Sequence, residues 1–219
     1  MRLTDKFVIS VNRELGSGGR TIGEKLAGRL GVSFYDKALI NALTRELHLT
    51  VEEIEKFKGQ KPSWWSVFQS KIAPFRNPTG SLLATSGEDI ESEVLTTEDI
   101  FRTETRILQE IAHDESCVIT GRSGFFVFQH HPNHMSILIQ SPMDNRIGRL
   151  QSKHPERSRE EIIQTIEEVD QQRENYINKF TKTSRYDARN YDMVLNMVNL
   201  TEDDAVDIIM EYIRRTSKT

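Results

Sequence analysis

The chain has 219 residues, 37% of them hydrophobic and 28% charged, with a mean hydropathy of −0.53, a composition that suits one folded α/β domain, 1–219, with a sizeable core. A net charge of −4 argues against a general surface for a nucleic-acid polymer, although local arginine clusters can still hold a nucleotide. The single cysteine excludes an internal disulfide, no apolar run reaches the roughly 18 residues that span a bilayer, and the N-terminal stretch has no secretory core, so a cytoplasmic protein without membrane contact is expected.

Phe7, Val8, Ile9 and Val11 form a short apolar run that reads as a buried parallel strand. Ile22, Leu26 and Leu30 then recur at helical spacing, and Gly31 stands where a C-terminal cap is expected. Between them lies RELGSGGRT, from Arg13 to Thr21. Strand, glycine loop and helix in this order leave the first N–H groups of the helix pointing outward, at the positive end of its dipole. Gly16, Gly18 and Gly19 let the backbone curl into a nest of donors of the kind that holds phosphate. The usual phosphate loop reads G-x-x-x-x-G-K-[ST]. This one has no lysine, and taken alone it leaves a glycine-rich turn with a surface arginine as the alternative.

Residues 32–36 read as a second strand ending in an acid. Asp36 is either a ligand contact at that strand end or the N-cap of a helix starting at Lys37. Residues 39–57 look helical, with a break near Leu49 and a capping box of Thr50 and Glu53. From 58 to 97, Pro62, Pro74, Pro78, Gly80 and Gly87 fall among many serines and threonines, a composition for loops and a mobile insertion. Trp64 and Trp65 inside it are expected in the core or at a subunit interface, the latter implying a homodimer; stacking on a base is the alternative.

Residues 98–113 form an amphipathic helix pattern, with Ile100, Ile107, Leu108 and Ile111 near one face and Thr97 as N-cap. A third apolar strand, 117–120, leads at once into Gly121-Arg122, and Cys117 within it reads as a packed thiol rather than a nucleophile. His130, His131 and His134 lack further ligands at metal spacing and read as a loop before a strand at 135–139. Pro142 opens a helix that carries Arg146 and Arg149. Residues 150–173 are strongly polar, with a capping box of Ser158 and Glu161 and a narrow stripe of Ile162, Ile163, Ile166 and Val169, a helical flap able to swing. A last strand, 191–196, precedes a helix capped by Thr201 with Asp204 at N3, which docks Ala205, Ile208, Ile209, Tyr212 and Ile213 on the sheet.

Taken in order, ISVNRELGSGGRTIGEKLAGRLGVSFYDKALI, CVITGR, SPMDNRIGRL, DQQRENY and YDMVLN resemble the cytidylate kinase-like family, a nucleoside monophosphate kinase branch of the P-loop proteins. The likeness spans nearly the whole chain outside 58–95. It implies a three-layer α/β P-loop fold, a parallel sheet flanked by helices, with 58–97 as the acceptor-side insertion and 150–173 as a helical LID. It also implies ATP and Mg²⁺, and transfer of the γ-phosphate to a nucleoside monophosphate, with CMP or dCMP first. On that resemblance, Arg13, Gly16, Ser17, Gly18, Gly19, Arg20 and Thr21 bind the ATP phosphates, and Thr21 meets Mg²⁺ directly or through water. Arg122 clamps the acceptor phosphate, with Asp36 and Arg102 as further substrate-side candidates, although surface placement is the default for Arg102. Arg149 and Arg173 bracket the transferred group, Asp170 orients Arg173, and Arg13 or Arg20 replaces the missing lysine. Arg20, Arg122, Arg149 and Arg173 are thus the candidate catalytic residues. The sequence also departs from the wider cytidylate kinase pattern: Lys37 and Ala42 replace a serine and an arginine, while Thr120 and Ser123 replace two acids. Two other functions therefore stand beside the nucleotide kinase, a nucleotide sensor without turnover and a kinase for a non-nucleotide metabolite.

Overall fold

The structure is a computed structural model that describes residues 1–36, 97–121 and 123–217. The expected helix and capping box at 39–57, Lys37, Ala42, Trp64, Trp65, the insertion up to residue 96, and Arg122 lie outside the described residues.

Five parallel strands, β1 (Val8–Arg13), β2 (Ser33–Asp36), β3 (Cys117–Thr120), β4 (His134–Gln140) and β5 (Met193–Asn196), form one sheet in the order β2-β3-β1-β4-β5. Strand β1 is central: it is paired with β3 from Val8 opposite Cys117 and with β4 from Val8 opposite His134. Side chains alternate across it, as the two-residue period of a strand requires. Phe7, Ile9 and Val11 share a core with Ile22 and Leu26 of α1 (Gly19–Leu30) and Ile209 and Ile213 of the C-terminal helix. Val8 joins a second core with Ile107, Leu108 and Ile111 of α2 (Thr97–Asp114). The sheet is therefore covered on both faces, as parallel strands need.

A short helix, α3 (Gly124–Val127), follows β3, with Ser123 as its N-cap in the left-handed region at φ 55°. Helices α4 (Met143–Lys153) and α5 (Arg159–Thr181) form a third, smaller cluster through Ile147, Ile162 and Ile166, and Leu15 of the glycine loop packs against it. The segment expected as one flap at 150–173 is thus the end of α4, a turn, and the greater part of α5. Helix α5 continues past Arg173 because Tyr176 and Phe180 pack their rings on Phe101 of α2, and Ile177 is buried. The last strand begins at Met193 rather than Tyr191, whose N–H closes a 3₁₀ turn onto Ala188 O at 3.1 Å. Helix α6 (Glu202–Thr216) ends the described fold.

Candidate functional site

The chain leaves β1 at the centre of the sheet and enters the glycine loop between strands that run to opposite sides, the switch point where open α/β sheets collect ligands. Ser17 closes the loop by donating N–H and Oγ–H to Glu14 O, at 3.3 and 2.9 Å. Gly16 and Gly18 take φ values of 83° and 86°, where a side chain is strained. Gly18 is the N-cap of α1 and supplies no side-chain acceptor, so the first-turn amides present donors without a capping side chain. Such a geometry is able to cradle an anion.

Side chains from α4 and α5 hold the loop. Leu15 N–H donates to Asp170 Oδ1 at 3.0 Å, and Leu15 O accepts from Arg146 Nε at 2.7 Å. Arg146 and Asp170 are themselves ion-paired and buried. Glu14 Oε2 accepts from Ser141 N at 2.9 Å, which ties the loop to the turn before α4.

Arg13 and Gly19 are sterically coupled. A Cβ placed on Gly19 would lie 2.5 Å from Arg13 Cβ and 3.1 Å from its Cγ, so the arginine stem fills the space that a side chain at 19 would need. The guanidinium extends to Gly121, where an added Cβ would collide with Nη1. Arg20 points elsewhere: its Nε donates to Asp36 Oδ2 at 2.7 Å and its Nη1 to Glu24 Oε2 at 3.1 Å, with the guanidinium 5.7 Å from the Phe34 ring centre. Asp36 is buried at the end of β2. Thr21 sits in the first turn of α1, and no group of three or more His, Cys, Asp or Glu arranged to hold a metal occurs among the described residues.

Arg149 pairs with Glu202 at the start of α6 and lies against the loop, its guanidinium carbon 3.2 Å from where a Gly18 Cβ would sit. Arg173 Nη1 donates to Asp170 Oδ1 at 3.3 Å and to Arg13 O at 3.4 Å. Burial lowers the pKa of Arg173, the neighbouring Arg185 guanidinium lowers it further, and Asp170 opposes both. Arg102 is exposed on α2, away from these groups in character, and Arg106 pairs with Glu110 at 2.8 Å.

A cleft of about 400 Å³ opens beside the loop, lined by Asn12, Arg13, Gly121, Ser123, Arg173 and Tyr176 among others. Ser123 Oγ and Thr120 Oγ1, at the positions where the resemblance leads one to look for two acids, are buried and have no hydrogen-bond partner among the described residues. The Tyr176 hydroxyl donates to Glu104 Oε2 at 3.1 Å, so this ring is both packed and tethered. Cys117 is buried in β3, and burial with Glu115 nearby raises its pKa, which suits a packed thiol. His134 hydrogen-bonds Ser10 Oγ through Nε2 at 2.7 Å and so ties β4 to β1.

Two arginines escaped the sequence reading of the site. Arg146 stands in the same short stretch as Arg149, but only the fold shows that its partner is Asp170 on another helix. Arg185 is fully buried and donates Nη2 to Arg13 O and, at 3.4 Å, to Asn12 Oδ1. It belongs to a polar stretch without periodicity, so no local pattern marks it.

The central strand, the glycine loop and the helices on both faces define a P-loop kinase fold. A model of the cytidylate kinase-like family matches residues 8–199, and the chain belongs to that family. The fold is similar to a crystal structure of an uncharacterized protein from Eubacterium ventriosum ATCC 27560, at 20% identity and a TM-score of 0.68, covering 95% of this chain and 98% of that one. A gluconokinase from Sinorhizobium meliloti 1021 aligns with a TM-score of 0.51 at 14% identity, over 99% and 95% of the two chains. A shikimate kinase from Bacteroides thetaiotaomicron aligns with a TM-score of 0.50 at 14% identity, over 95% and 98%. No curated protein sequence gives a significant match. Family membership supports a phosphotransferase. No helix among the described residues is long and apolar enough to cross a membrane.

Proposed function

We propose that this protein transfers the γ-phosphate of ATP to a small acceptor, a nucleoside monophosphate with CMP or dCMP first among those to test. The observation that carries the reading is the uncapped, glycine-shaped start of α1 just beyond the end of β1, where Arg13 lines a cleft together with Arg173. Phosphoryl transfer is largely positioning and charge neutralisation, so such a site needs oriented N–H donors and cations more than a nucleophile of its own.

The loop fits ATP phosphates because its donors are preformed and its glycines leave room for close approach. Mg²⁺ would reach the site held mainly by phosphate oxygens and water, with Thr21 contributing its hydroxyl, and would neutralise charge on the transferring group. In this reading Arg13 supplies the cation that the loop's missing lysine would have provided. Arg149 and Arg173 flank the transferred phosphate, each released from its present carboxylate partner, and Arg122 receives the acceptor phosphate. Arg20 is assigned a holding role at the end of β2.

The test is ATP and Mg²⁺ turnover against CMP, dCMP, UMP and AMP. Arg13→Ala is expected to lower kcat by about 10²- to 10³-fold, the usual loss on removing one transition-state donor. Arg20→Ala is expected to cost less than about tenfold, as for an exposed ion pair. A severe loss in Arg20→Ala beside a small one in Arg13→Ala would reverse the assignment of the two arginines. A second reading, nucleotide binding without turnover, is favoured by the two hydroxyls of Thr120 and Ser123 that stand where a carboxylate could contact the acceptor. ATP binding with no product from any acceptor, non-nucleotide metabolites included, would select it.

A further inference from the structure

Asp170 stands among three arginines. Its Oδ1 accepts from Leu15 N at 3.0 Å and Arg173 Nη1 at 3.3 Å, its Oδ2 is paired with Arg146, and Arg185 Nη1 stands 3.7 Å from Oδ1, beyond hydrogen-bond reach. Arg173 and Arg185 also share the carbonyl of Arg13. Arg185 has no exposed surface, yet among the described residues its Nε and Nη1 have no hydrogen-bond acceptor. A guanidinium stays charged and presents five donors, and buried donors without acceptors are rare in native proteins. Among the described residues, then, two arginines compete for the same two acceptors and the more deeply buried one is the less satisfied.

We propose that Arg185 is a positioning residue that acts through Arg173 by exchanging partners with it. When an anion such as a phosphate group enters the cleft, Arg173, which lines it, turns to the anion and gives up Asp170 Oδ1 and Arg13 O. Arg185 then brings its unused Nη1 onto Asp170 Oδ1, 3.7 Å away, while its Nη2 keeps the Arg13 carbonyl. Asp170 never stands as an unpaired buried carboxylate, and the Arg13 carbonyl keeps a donor, so recruiting Arg173 to the ligand is made easier. Without Arg185, moving Arg173 would take from the Arg13 carbonyl both guanidinium donors described on it and leave Asp170 with Arg146 as its cation, an unfavourable step. This inference rests on the reading of the cleft as an anion site and not on turnover.

The experiment titrates inorganic phosphate, against potassium chloride of equal ionic strength, into the native protein, Arg173→Met, Arg185→Met and the double variant, read by calorimetry and by the rise in Tm that ligand binding produces. Each single variant is expected to weaken phosphate binding by about tenfold, and the double variant no further than Arg173→Met alone, the signature of residues that act as a unit. A merely structural Arg185 would lower Tm without this coupling. Should Arg185→Met fail to fold, Arg185→Lys keeps the charge but loses the fork, and binding between the native and Arg173→Met values is expected. Losses that multiply in the double variant, native affinity in either Arg185 variant, or no phosphate binding by the native protein would each overturn the proposal. Coupled losses in a protein that makes no product from ATP would sink the kinase assignment alone, while multiplying losses in an active kinase would sink only the exchange.

Discussion

Position 19 shows how one residue type forces another. Laid on the nucleoside monophosphate kinase form G-x-x-G-x-G-K-G-T, the sequence has Gly19 at the lysine position, and the Arg13 stem already fills the space a side chain there would enter. Restoring the common spelling should therefore not restore a common loop. Gly19→Lys is expected to lower both stability and turnover, because its Cβ would meet Arg13 Cβ at 2.5 Å and overpacking of this kind commonly costs about 1–3 kcal/mol. Gain of activity in Gly19→Lys would show that the arginine stem yields and that the loop tolerates a lysine. The glycines and arginines of this loop were visible in the sequence as a set. Which arginine stands over the loop was not, because Arg13 and Arg20 flank the glycines almost symmetrically in sequence and differ only in what they meet. Arg20 meets Asp36 and Glu24, whereas Arg13 meets the backbone of two glycines.

Capping explains why the helix boundaries were legible. At the start of α5, Ser158 accepts from Glu161 N at 3.2 Å while Glu161 accepts from Ser158 N at 2.8 Å. At the start of α6, Thr201 and Asp204 make the same reciprocal pair, at 3.1 and 2.9 Å. These are exchanges between residues three apart, so the sequence specifies them without reference to the rest of the chain. Helix α6 has a second role, since its first residue, Glu202, pairs with Arg149 beside the loop. Thr201→Ala is expected to destabilise the protein by about 1 kcal/mol, the usual loss for an N-cap, and equilibrium denaturation would read it as a lower midpoint. A shift in ATP affinity in the same variant would show that the start of α6 also sets Arg149; an unchanged affinity would confine the cap to stability. The longer α5 was not legible, because the aromatic contacts of Tyr176 and Phe180 with Phe101 that extend it join segments far apart in sequence.

The whole molecule depends on a sheet whose polar contacts are buried with its apolar ones. His134 begins β4, bonds Ser10 of β1 and packs near the Phe128 ring. Burial lowers its pKa to about 4, with Asp192 opposing the shift and His131 adding to it. Its ordinary value is about 6.5, so between pH 6.5 and 4 the unfolded chain binds a proton that the native protein does not. Stability should therefore be lost as pH falls through this window, by on the order of 2–3 kcal/mol from this group. His131, also lowered by burial, acts in the same direction. Denaturation curves at several pH values should show that slope, and His134→Gln should flatten it; an unchanged slope in the variant would assign acid sensitivity to other groups. At this scale the sequence by itself determined the α/β class, the strand–loop–helix unit and the caps, because each follows from local periodicity, glycine geometry or residues a few positions apart. Only the tertiary structure decided that β1 lies between β3 and β4, that Asp170 gathers Arg146, Arg173 and Arg185, and that Arg13 covers Gly19. Those arrangements join residues up to more than a hundred positions apart, and it is the packing of helices across an open sheet that brings them within bonding distance.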